Sequence, residues 1–81
     1  MTKTVKNWEK EIAPYLVGKT IEKIEYLTKE EADDMDWHRL PLAIVFTDGS
    51  WIFPMMDAEG NNGGVLATSM KGMELIPAMS T

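Results

Sequence analysis

The sequence predicts an α+β domain: a small antiparallel sheet of about four strands, an N-terminal helix and a short acidic helix. Three observations carry this. Two β-rich runs flank Asp48-Gly49 between Pro41 and Pro54, the pattern of a hairpin. Trp8, Ile12, Tyr15 and Leu16 recur at helical spacing. Thr28 and Glu31 stand three residues apart before Ala32, as the two members of a capping box do.

Either Thr4 or Asn7 can cap the first helix. Pro14 lacks an N–H and crowds the preceding turn, so a break is expected near Ala13. A last turn then ends at Gly18, which suits the left-handed position after a helix. Lys19 to Leu27 reads as a strand. Ile24 and Tyr26 share one parity, Ile21 and Leu27 the other, which requires a bulge or a strand touched on both sides. Leu27 and Ala32 are spaced as a hydrophobic staple around the second cap. Asp33, Asp34 and Asp36 oppose the negative end of the helix dipole, so that helix should end by about Met35.

A two-residue type I′ turn at Asp48-Gly49 would set Phe46 opposite Trp51, Val45 opposite Ile52 and Ile44 opposite Phe53. One face then carries Ile44, Phe46, Trp51 and Phe53, and the other Ala43, Val45, Ile52 and Pro54. Both faces are apolar. The hairpin is therefore expected in a curled sheet such as a half-open SH3-like barrel, under a helix, or in an oligomer interface. Trp51 is the expected core tryptophan. Trp37, beside His38 and Arg39, is the one expected to be partly exposed. Met55 to Gly64 holds three of the six glycines and reads as a loop. Val65 to Ala67 reads as a helical turn or a strand, and Met73 to Ile76 as a last strand stopped by Pro77. The tail from Ala78 is expected to be loose.

A chain of 81 residues implies a single domain over 1–81 with a thin core, burying only about 60% of its unfolded surface. Self-association, most simply as a homodimer, is the corresponding expectation. There is no cysteine, which removes disulfides, thiolate nucleophiles and cysteine zinc sites. No apolar run approaches the roughly 18 residues that span a bilayer, and Met1 to Lys10 is polar, so a cytoplasmic location is expected. The net charge is −5. Residues 1–27 hold five lysines and four glutamates, whereas 28–81 hold three basic and nine acidic residues. That distribution repels phosphate, so a nucleic-acid partner is not expected and a basic protein partner fits better than an acidic one.

Candidate site residues fall in two segments. Trp37, His38 and Arg39 follow the acids Asp33, Asp34 and Asp36, and imidazole with carboxylate is a metal-binding combination. No second histidine supports it. Asp57, Glu59, Asn61 and Asn62 alternate as oxygen donors in the manner of a calcium loop. Asn62 stands where such a loop needs glycine, and Thr68 where it needs the bidentate glutamate. A recognition loop over Asp57 to Gly64 is the looser reading. Gly60 to Gly64 lacks the Lys-Ser/Thr of a phosphate loop, and the serines lack any nucleophile motif. No cofactor and no catalytic residue is implied.

The stretch Gly18 to Leu66 resembles short uncharacterised bacterial and phage proteins. The resemblance rests on Gly18-Lys19-Thr20-Ile21, Tyr26-Leu27-Thr28 with Glu30-Glu31-Ala32, then Trp37, Arg39 and Pro41, the Asp48-Gly49 turn, Pro54, Asp57, Glu59-Gly60-Asn61 and Gly64. Leu40 separates Arg39 from Pro41 where that pattern has them adjacent. The resemblance implies a self-standing small domain and no chemistry. A protein-interaction or regulatory module is thus the first reading of function. A small-ligand or metal-binding domain using Asp57 to Gly64 comes second, and an enzyme last.

Overall fold

A computed structural model describes residues 4–80, and helix α1 (Val5–Leu16) opens them. Thr4 is its cap: Thr4 Oγ1 accepts the Asn7 N–H at 3.2 Å, and Asn7 Oδ1 accepts the Thr4 N–H at 3.3 Å. The two residues read as alternative caps therefore form one capping box. The break expected near Ala13 does not occur. The helix runs through Pro14 to Leu16, and the Val17 N–H still reaches the Ala13 carbonyl at 2.8 Å. No residue of α1 is buried, so a carbonyl deprived of its donor by Pro14 is left to water, which limits the cost. Gly18, at φ 85°, ends the helix as expected.

Strand β1 (Ile21–Tyr26) contains the bulge that its parity demanded, between Ile21 and Lys23. Helix α2 (Lys29–Asp34) starts at the Thr28–Glu31 capping box and ends at Met35. Leu27 and Ala32, the expected staple, are both buried in the same cluster. The remaining strands are β2 (Arg39–Leu40), β3 (Leu42–Phe46), β4 (Trp51–Ile52), β5 (Leu66–Ala67), β6 (Leu75–Ile76) and β7 (Met79–Ser80). The architecture is α+β with antiparallel pairing throughout. Its strands fall into three sheets, β1-β3-β4, β2-β7 and β5-β6, where one sheet of about four strands was expected. Through Ser80 the C-terminal tail is not loose, and Thr81 lies outside the described residues. Met79–Ser80 pairs with Arg39–Leu40, and the Tyr26 hydroxyl donates to the Pro77 carbonyl at 3.1 Å.

The hairpin differs from expectation by one residue, and the difference matters. Phe46 donates its N–H to the Ser50 carbonyl at 2.8 Å, and the Gly49 N–H reaches the Phe46 carbonyl at 3.0 Å. Only Gly49, at φ 89°, is left-handed; Asp48 is not. The connection is thus a three-residue loop, Thr47 to Gly49, with the glycine in a bulge. Asp48 is held by its own side chain, which accepts the Ser50 N–H at 2.9 Å and pairs with Lys19. Those bonds favour the right-handed conformation over the type I′ one. Val45 therefore faces Trp51, and Ile44 faces Ile52. A slip of one residue moves every β4 side chain to the other side of the sheet.

The two tryptophans exchange their expected roles. Trp37 is 3% exposed and packs with Leu27, Ala32, Ala43, Leu40 and Phe53 under α2. Its ring meets Phe53 edge-on at 5.8 Å, a favoured aromatic geometry. Trp51 is 60% exposed.

Candidate functional site

The two sequence segments singled out above meet in space. Met55 and Gly63 form a bridge that closes the loop between them, and the Met56 N–H reaches the Asn62 carbonyl at 2.8 Å. The indole N–H of Trp37 donates to the Gly60 carbonyl at 2.6 Å. Asn62 Oδ1 accepts the N–H groups of His38 (3.2 Å), Arg39 (3.1 Å) and Gly63 (2.9 Å). Gly63 lies so close to the 39–41 segment that a Cβ there would stand 2.6 Å from Pro41 Cδ. The loop is a latch, bolted to residues 37–39 by one indole and one amide oxygen.

Asp57 faces into this loop. Its carboxylate accepts the Asn61 side-chain amide at 2.7 Å and the backbone N–H groups of Glu59 (3.0 Å) and Asn61 (3.3 Å). The Asn61 amide, and after it the backbone donors, hold its pKa below the ordinary carboxylate value. Both carboxylate oxygens are used, so the loop is built around Asp57 as its internal acceptor. Glu59 contributes its N–H to the latch, while its side chain is exposed. His38 and Arg39 likewise give backbone N–H groups and are exposed. Among the described residues no three His, Cys, Asp or Glu side chains are grouped to hold a metal ion.

A second region lies on the hairpin, whose faces the sequence marks as apolar, with a membership that the register alters. Paired residues of an antiparallel ladder share a face. Ile21 pairs with Phe46, Ile24 with Ile44, Tyr26 with Leu42, and Ile44 with Ile52. The β1 bulge returns Ile21 to the side of Ile24, so one sheet face is apolar across all three strands. Leu42 and Phe46 are buried, yet Ile21 is 57% and Ile24 59% exposed. At one end of this face, Tyr15 and Leu16 of α1 line an open cleft of about 310 Å³ together with Phe46 and Ile52. The signal was present in the sequence as the bulge and the hairpin register, but only a correct register joins the isoleucines.

Among the described residues no helix is long and apolar enough to cross a membrane. No protein-family model matches this chain, and neither a curated protein nor a solved structure matches it. The reading of function therefore rests on these two regions alone.

Proposed function

We propose that this domain is a protein-interaction module whose contact surface is the isoleucine face of β1-β3-β4, and that it self-associates through that face as a homodimer. The observation that carries the reading is the exposure of Ile21 and Ile24 on a face that is apolar on every strand. The chain exposes 6473 Å², whereas a folded monomer of 9.1 kDa exposes about 4,900 Å². The excess, about 1,600 Å², belongs to the whole chain, α1 included, and the isoleucine face is one part of it. A closed two-fold contact would cover the face on both copies and leave no open end.

The ligand-binding alternative is less well supported, because the oxygen donors of the 57–64 loop already serve the loop. Asp57 accepts three donors within it, and Asn62 holds the 38–39 backbone. Light scattering over a dilution series tests the main reading. The mass should approach twice 9.1 kDa at high micromolar concentration, and Ile24→Lys should return it to the monomer without changing the far-UV circular dichroism. A wild-type protein that stays monomeric throughout would overturn self-association.

A further inference from the structure

The face of the sheet opposite the isoleucines carries α2 and, beside it, a hollow of about 180 Å³. Its origin lies in the register. Ala43 is the smallest side chain of β3 and is buried there, opposite Glu25 on β1. Beyond it, Trp51 and Phe53 stand as a wall, their rings stacked at 5.1 Å and 11°. Thr28 and Glu31 close the end nearest α2. A small residue between long neighbours leaves a gap, and here the gap has aromatic and anionic sides.

We propose that this hollow binds the guanidinium or ammonium side chain of a partner protein. Glu25 and Glu31 supply negative charge, and the exposed Trp51 supplies the π surface that a cation prefers. Glu31 is held in place, since Oε1 accepts the Thr28 N–H at 2.9 Å in the capping box. That same bond lowers its pKa, so it stays ionised. Lys23 Nζ lies 3.7 Å from Glu25 Oε1. Both members of that pair are exposed, so it contributes little and yields readily to a bidentate guanidinium. Size argues for a side chain: drug-sized ligands occupy pockets of about 300–1,000 Å³. The acidic body of the chain, nine acids against three bases over residues 28–81, favours a cationic visitor. The site lies across the sheet from the isoleucine face and does not depend on self-association.

The test is a titration of the isotope-labelled full chain with N-acetyl-arginine amide, followed by nuclear magnetic resonance. The Trp51 indole and the Ala43 and Glu31 amides should shift saturably. The citrulline analogue, equal in shape but uncharged, and the norleucine analogue should bind at least about tenfold more weakly. Glu31→Gln preserves the cap, because glutamine serves that position too, and should weaken arginine several-fold. Glu25→Gln should act in the same direction. Equal binding of citrulline and arginine, shifts remote from Trp51, or wild-type affinity in both glutamine variants would each overturn the proposal. Arginine binding by a chain that remains monomeric would sink self-association and leave this site standing.

Discussion

The Trp37 indole N–H and the Gly60 carbonyl, 23 residues apart, are joined at 2.6 Å. This bond satisfies the indole of a tryptophan that packs into the core from a polar segment. A buried indole needs an acceptor, and the loop supplies one. Trp37→Phe keeps an aromatic ring but leaves Gly60 without its donor. The expected cost is about 1–3 kcal/mol for the lost bond, with a further loss for the smaller ring. Hydrogen exchange at the Met56 amide, which is bonded to Asn62 within the same loop, should accelerate. An unchanged denaturant midpoint would show that the latch does not hold the core.

Asn62 gives a sharper comparison. Its Oδ1 serves three backbone N–H groups, so Asn62→Ala should cost about 1–3 kcal/mol. Asn62→Asp retains the acceptor oxygen and should cost much less. Thermal melting of the two variants separates loss of the acceptor from loss of the amide. Equal destabilisation would contradict the assigned role.

The hairpin register is open to a direct mutational check. Phe46 is buried, so Phe46→Ala should cost about 3–5 kcal/mol. Trp51 is largely exposed and stacks on Phe53, so Trp51→Ala should cost about 1 kcal/mol. Urea unfolding of both variants decides the matter. A Trp51 variant as damaged as the Phe46 variant would restore the two-residue turn.

Acid should act through Asp48. Lys19 first, and Ser50 after it, hold its carboxyl well below the ordinary 3.8. A carboxylate with a depressed folded-state pKa stabilises the fold fully above its unfolded value, and that contribution fades as pH falls below it. Asp48→Asn should therefore lower the urea midpoint at neutral pH, and the gap to wild type should close below about pH 4. Because the group is exposed, the effect should be modest and should shrink with added salt. A gap that is constant down to pH 3 would remove Asp48 from this role.

Local chemistry made several features legible before any tertiary contact was known. The Thr28–Glu31 cap, the end of α2 at Met35 and the left-handed Gly18 depend on residues within a few positions of one another. Such signals survive in the sequence because the interacting groups are neighbours along the chain. The 55–64 loop was equally plain, and so was its set of polar residues. That Asp57 and Asn62 point inward to hold the loop and the 37–39 segment was not.

What lay beyond reach depended on long-range partners. Asp48-Gly49 is compatible with a two-residue turn or with a three-residue loop and glycine bulge, and the pairing of Lys19 with Asp48, 29 residues apart, favours the second. That choice set the side of the sheet on which Trp51 stands, while Trp37 enters the core through α2 and the 55–64 loop. It also brought Ile52 to the face that Ile21, Ile24 and Ile44 share, and Trp51 to the side of Ala43. By itself the sequence determined the elements, their caps and the α+β class. Only the tertiary structure decided which face of each strand is buried, because a register shift of one residue costs the local chain little yet reverses every side chain that follows.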